Sequence, residues 1–223
     1  MNKEERKELM RKIKDEVLNN TKLPLYKDRI KNKNFPVIGE GSHSAKIMFI
    51  GEAPGKNEAA TGRPFCGASG KFLDELLEHV GIKREDVYIT NIVKDRPPGN
   101  RDPLPEEIES YSKYLDRQID IIRPKVIATL GRFSMVYIMK KFGLGDKLDY
   151  ISKVHGKVFS VQGALPAGRQ GSLHVEFDGR GASGREAYEI KIIPFYHPAV
   201  AIYNALTKDE LKKDFAILKK FSE

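Results

Sequence analysis

The sequence predicts a single α/β domain in three layers, with a central, mainly parallel four-stranded sheet and helices on both faces. Three observations predict it. Four apolar runs, at 46–51, 87–93, 125–130 and 190–196, alternate with stretches whose apolar residues recur at helical spacing. Such alternation means parallel strands joined by crossover helices. The runs are nearly continuous rather than alternating with polar residues, which marks strands buried on both sides. The length, 223 residues without repeats or a long linker, suits one domain spanning 1–223 with a substantial core.

Each element has its own signal. Asn2 and Glu5 have the spacing of a capping box, opening a helix with Met10, Ile13, Val17 and Leu18 on its apolar face. The strand at 46–51 runs into Gly51-Glu52-Ala53-Pro54-Gly55, whose glycines and proline allow a sharp turn. Ser69 is the expected cap of a helix carrying Phe72, Leu73, Leu76, Leu77 and Val80, which Gly81 ends. After the strand at 87–93, Pro105 opens a helix through Ile108, Tyr111, Leu115 and Ile119, and Pro124 forbids its continuation. The strand at 125–130 reaches Gly131 and a helix through Met135, Ile138 and Phe142. The strand at 190–196 enters His197-Pro198, and Thr207 with Glu210 caps a last helix bearing Leu211, Phe215, Leu218 and Phe221. Residues 163–189 break the pattern. This glycine-rich stretch, with Arg169, Arg180, Arg185 and a short strand at Leu173–Phe177, is expected to be an inserted flexible loop or hairpin.

Composition sets outer bounds. A hydrophobic fraction of 40% excludes global disorder. No apolar run approaches the ~20 residues of a membrane span, so no membrane role is expected. The single cysteine, Cys66, excludes an internal disulfide and suits a reducing cytoplasm. A net charge of +8 suits a polyanionic partner, of which nucleic acid is the commonest.

The loop after 46–51, Asn91 with the Lys94–Arg101 segment, Gly131 and His197 all fall near the carboxyl ends of expected strands. Right-handed crossovers bring those ends to one rim, where open α/β sheets hold their ligands. Residues 150 positions apart can thus share one cleft. Glu52 stands in its loop as a catalytic carboxylate, although the loop alone also suits an ordinary strand-to-helix turn.

Four segments carry a family signal: Gly51-Glu52-Ala53-Pro54-Gly55 with Gly62-Arg63-Pro64-Phe65; Thr90-Asn91-Ile92-Val93-Lys94; Arg96-Pro97-Pro98-Gly99-Asn100-Arg101; and Tyr196-His197-Pro198-Ala199. In this order and spacing, from about Asn20 to Asn204, the chain resembles the family-four uracil-DNA glycosylases, monofunctional hydrolases of base-excision repair that leave an abasic site. The resemblance implies a single- or double-stranded uracil-containing DNA partner and action as a monomer. It also implies roles. Phe65 stacks on the flipped uracil. Asn91, with one donor and one acceptor, matches the N3–H and O4 edge of uracil but not the reversed edge of cytosine. His197 donates to O2 as negative charge collects there. Glu52 positions or polarises the attacking water. Gly51, Ala53 and Glu58 form the pocket, with Ala53 where the best-known uracil glycosylases carry an Asp, which leaves direct general-base catalysis less secure. Lys94, Arg96 and Arg101 contact phosphates, and Ile202 with Tyr203 belongs to an apolar wedge entering the base stack. Two other readings stay open: a non-catalytic uracil- or DNA-binding relative, and a glycosylase for another deaminated base.

One departure stands out. Family-four enzymes hold a four-iron, four-sulfur cluster with four cysteines, and the matching positions here are Asn20, Leu23, Asp95 and Tyr111. None can supply a thiolate. The expectation is a chain with no metal and no cofactor, whose cluster region is closed by packing of Leu23 and Tyr111 and by hydrogen bonds of Asn20 and Asp95 to nearby Arg or Lys.

Overall fold

In each central strand, residue parity decides which face of the sheet a side chain joins. Met48, Ile50, Tyr88, Ile127, Ile190 and Ile192 enter one hydrophobic cluster, while Ile47, Phe49, Ile89, Val126, Ala128, Ile193 and Phe195 enter a second on the opposite side. A sheet clad on both faces requires helices on both, and a computed structural model of the chain has them. It describes residues 1–163, 188–202 and 204–222.

In chain order the elements are α1 (Lys3–Asn19), α2 (Tyr26–Lys31), β1 (Glu40–Gly41), β2 (Ile47–Gly51), α3 (Lys56–Thr61), α4 (Ala68–His79), β3 (Tyr88–Asn91), α5 (Pro105–Ile122), β4 (Val126–Leu130), α6 (Arg132–Lys141), α7 (Ile151–Val154), β5 (Phe159–Gly163), β6 (Tyr188–Phe195), α8 (Pro198–Ile202), α9 (Ala205–Phe215) and α10 (Lys219–Ser222). Among the described residues the sheet has six strands rather than four, in the order β1-β3-β2-β4-β6-β5. The four expected strands form its parallel centre, and both additions are antiparallel edges. Neither edge has a continuous apolar run: β1 is two residues long, and β5 alternates Phe-Ser-Val-Gln.

Register brings the chemistry together. Gly51 pairs with Asn91, Ile50 with Thr129, and Leu130 with Phe195, so the carboxyl ends of β2, β3, β4 and β6 lie level along one rim.

Three smaller expectations change. α4 begins at Ala68 with Gly67 as its N-cap residue, and Ser69 lies inside its first turn. α9 is capped by Asn204, whose side chain accepts the N–H groups of Leu206 and Thr207, so Thr207 and Glu210 do not cap it. Leu18, near the end of α1, is 37% exposed rather than part of the buried stripe of Met10, Ile13 and Val17. The inserted stretch leaves β5 and returns to β6 at paired neighbours, Gly163 and Tyr188, so the strands occupy both ends of the expected 163–189 range. The loop or hairpin itself, with Arg169, Arg180, Arg185 and Leu173–Phe177, lies outside the described residues.

Candidate active site

Glu52 follows β2 directly and turns toward the start of α6. Its Oε1 accepts the backbone N–H of Phe133 at 3.3 Å, and the Arg132 N–H also favours its charged form. A helix N-terminus is a natural seat for a carboxylate. Burial nevertheless wins, raising the Glu52 pKa above the ordinary carboxylate value, with a further push from Asp102. The close fit depends on Gly131, whose φ is +98° and where a Cβ would stand 2.5 Å from Glu52 Oε1.

Phe65 is held in an unusual conformation, with φ at +47°, a left-handed backbone that bulky residues rarely adopt. Two clamps hold it there. Glu58 Oε1 accepts the N–H groups of Cys66 and Gly67, both at 3.1 Å, tying down the residues after Phe65. Gly70 lies against the Phe65 carbonyl so closely that a Cβ would fall 1.8 Å from its oxygen. Replacing Gly70 by Ala must therefore displace the Phe65 backbone, at about 1–3 kcal/mol for overpacking. Urea unfolding checks this, and an unchanged midpoint would show that the loop yields freely.

Gly51 does not line the cleft. It lies behind Asn91 and Phe65 as a spacer, for a Cβ there would meet Asn91 Oδ1 at 2.3 Å and the Phe65 ring at 2.8 Å. Asn91, buried at the end of β3, borders the cleft, and its side-chain amide has no hydrogen-bond partner among the described residues.

His197 follows β6. Its Nδ1 accepts the Ala199 N–H at 3.1 Å, which places the neutral ring's hydrogen on Nε2. Burial lowers its pKa from 6.5 to about 4, against a smaller opposing effect of Glu58, so the ring is neutral at pH 7. Its centroid lies 5.7 Å from that of Phe65.

Glu52, Ala53, Glu58, Phe65, Asn91, Arg101 and His197 thus border one cleft of about 310 Å³. Three separated parts of the chain, 52–65, 91–101 and 197, supply them. The other expected DNA contacts divide. Lys94 is fully buried, donating to Thr90 Oγ1 at 2.8 Å, Asn91 O at 2.7 Å and Gln118 Oε1 at 2.6 Å, so it cannot reach a phosphate. The sequence misled here because lysine is rarely fully buried. Arg96 is part-buried and donates to Asn100 Oδ1 at 2.6 Å. Arg101 grips Glu107 with two bonds of 2.9 and 2.6 Å at the rim of the cleft. Ile202 is 41% exposed on α8 beside the cleft residue Ala199, and Tyr203 lies outside the described residues. Sequence reasoning missed Asp102, which lines the cleft and pairs with Arg132 at 2.5 Å. It also missed the backbone N–H groups that receive Glu52, because main-chain donors leave no mark in a sequence.

The four positions of the absent cysteines are closed by apolar packing and by polar contacts, among them an Arg29–Asp95–Tyr111 knot. Arg29 Nη1 meets both oxygens of Asp95 at 3.2 and 3.1 Å and also donates to Val17 O. The Tyr111 hydroxyl donates to Asp95 Oδ2 at 2.5 Å and accepts the Leu25 N–H. Asn20 donates to the Tyr114 hydroxyl at 3.0 Å, and Leu23 is buried in the same core. Nitrogen, hydrocarbon, carboxylate and phenol do not make a donor set for an iron–sulfur cluster, and the carboxylate is already paired. Among the described residues no group of three or more His, Cys, Asp or Glu is arranged to hold a metal ion.

Residues 38–219 match the family described as the Uracil DNA glycosylase superfamily. Curated relatives agree with that match. The type-4 uracil-DNA glycosylase of Sulfurisphaera tokodaii is 43% identical over 207 residues, covering 92% of this chain and 81% of the relative. That of Archaeoglobus fulgidus is 43% identical over 188 residues, 84% of this chain and 82% of its own. The type-4 protein of Thermotoga maritima is 37% identical over 199 residues, 89% and 86% of the two chains.

Proposed function

The chain belongs to the Uracil DNA glycosylase superfamily, and from that premise we propose that it hydrolyses the N-glycosidic bond of deoxyuridine in DNA, releasing uracil and leaving an abasic site. The observation that carries this reading is the meeting of Glu52, Phe65, Asn91 and His197 in one cleft. Cleavage breaks the C1′–N1 bond, and its electron pair passes to the uracil ring. A neutral His197 donating from Nε2 stabilises the negative charge that gathers on O2, with no proton transfer required. The side-chain amide of Asn91 reads the N3–H and O4 edge, and Phe65 stacks on the ring. The sugar left behind is cationic in character. Glu52, ionised, stabilises it electrostatically and holds the water whose oxygen bonds to C1′, and the proton which that water loses passes through solvent to neutralise the departing uracil anion.

Glu58 acts by holding the Phe65 loop at the required height, with its carboxylate already engaged by backbone N–H groups. In this reading Arg96 and Arg101 steer the phosphate backbone and Ile202 presses against the base stack. A cleft completed by residues of one chain supports action as a monomer, and a single unpaired cysteine supports a reducing compartment such as the cytoplasm.

Labelled uracil-containing DNA, single-stranded and duplex, tests the activity: incubation without added metal should yield alkali-sensitive sites. Unaltered DNA after long incubation with excess folded protein would refute it, and preferential release of another deaminated base would reassign the pocket. We also propose that the enzyme carries no iron–sulfur cluster, because the donor set described above does not fit one. Anaerobically prepared protein should be colourless and free of iron and inorganic sulfide, and stoichiometric amounts of both would overturn this.

A further inference from the structure

We propose that Lys94 is a positioning residue for Asn91, holding the peptide that carries the base-reading amide. This rests on the reading of Asn91 given above and extends it to a group that touches neither DNA nor base.

The argument begins with hydrogen counting. Lys94 Nζ has three partners within hydrogen-bond distance: Thr90 Oγ1, Asn91 O and Gln118 Oε1. None has a hydrogen to offer back. The Thr90 hydroxyl donates to Ile38 O at 2.7 Å, and the other two are carbonyl oxygens. Three acceptors need three N–H groups, which only the ammonium form has. Burial pushes the Lys94 pKa well below its ordinary value, yet the three acceptors oppose loss of the proton, and Asp116 favours the charge from a distance. A buried cation is costly, and here one of its bonds goes to the Asn91 carbonyl and another to the hydroxyl of neighbouring Thr90.

Asn91 sits where the ladder ends. β2 and β3 stay in register as far as Gly51 and Asn91, and beyond them only the bonds of Ile92 N–H to Gly51 O and Val93 N–H to Glu52 O follow. Asn91 is also the residue whose side chain is pressed against Gly51. Its rotamer depends on its own backbone angles, and Lys94 fixes its carbonyl from three residues ahead. Gln118, on α5, anchors the other side of the ammonium and is itself tied to Ile38 O at 2.9 Å and the Tyr88 hydroxyl at 3.1 Å. The Asn91–Ile92 peptide is thereby held from two sides, its N–H by Gly51 O at 3.1 Å and its carbonyl, through Lys94 and Gln118, by α5.

A double-mutant cycle on the full chain separates positioning from general support. Lys94→Met, which keeps length and removes the donors, should lower the single-turnover rate of uracil release by about tenfold to a hundredfold. It should leave DNA binding nearly unchanged. In the Asn91→Ala background the same substitution should change the rate by less than about twofold, since there is no amide left to place. Equal losses in both backgrounds would overturn the proposal. A normal rate for Asn91→Ala alone would instead refute the role of Asn91. Should Lys94→Met fail to fold, Gln118→Met releases the ammonium from α5. Its effect should likewise vanish with Asn91→Ala, and additivity there would overturn the proposal equally.

Discussion

Replacing His197 by Ala should slow single-turnover release of uracil by about 10²–10³, the loss expected when one preorganised donor to a developing oxyanion is removed. Binding of uncleaved DNA should fall far less, because the interaction strengthens only as charge moves onto the base. The same residue makes a separate pH prediction. Its pKa lies at about 4 in the folded protein against 6.5 ordinarily, so folding favours the neutral ring. Its contribution to stability is therefore complete above pH 6.5 and is lost as pH falls toward 4. His197→Ala should flatten the acid side of the stability profile in that window, as measured by urea unfolding. Catalysis should follow a different group. Glu52 has a raised pKa and must be ionised to act, so the rate should fall as pH drops through that raised value. Glu52→Gln should abolish this acid limb. An acid limb unchanged in Glu52→Gln would remove the carboxylate from the rate-determining chemistry.

The second large effect concerns stability. Asp95→Ala should destabilise the fold by about 3–5 kcal/mol, because it leaves the Arg29 guanidinium buried without its counter-charge. The intact pair is not thereby a strong net stabiliser. Burial raises the Asp95 pKa despite Tyr111 and Arg29, which shows how heavily desolvation weighs. Replacing both members together, Arg29→Met with Asp95→Leu, should recover most of the loss. Urea unfolding of the two single variants and the double variant tests this, and a cost below about 1 kcal/mol for Asp95→Ala would mean that water enters to solvate Arg29.

The four parallel strands and the helices over them were legible because burial on both faces forces continuous apolar runs, and crossover helices force periodic ones. The convergence of Glu52, Asn91 and His197 followed from strand ends alone. The edge strands were illegible for the converse reason, since a half-exposed or two-residue strand has no such run. The Lys94 expectation went wrong because charge on a loop beside arginines suggests solvent, and nothing local reveals that Thr90 and Gln118 wait as acceptors. The Arg29–Asp95–Tyr111 knot was legible only as a type, polar groups closing a core. Arg29 lies 66 residues from Asp95 and had no motif to single it out.

The pairing of Gly163 with Tyr188 has a practical meaning. β6 runs from Tyr188 to Phe195, and its far end meets the cleft rim beside Leu130. At about 3.3 Å per residue, the root of the inserted stretch is roughly 20 Å away, at the opposite end of the sheet. Since the chain departs and returns at adjacent, paired positions, its length there can change without altering the separation of β5 and β6. This makes the connection a natural attachment point for a fluorophore or affinity handle on an otherwise working enzyme.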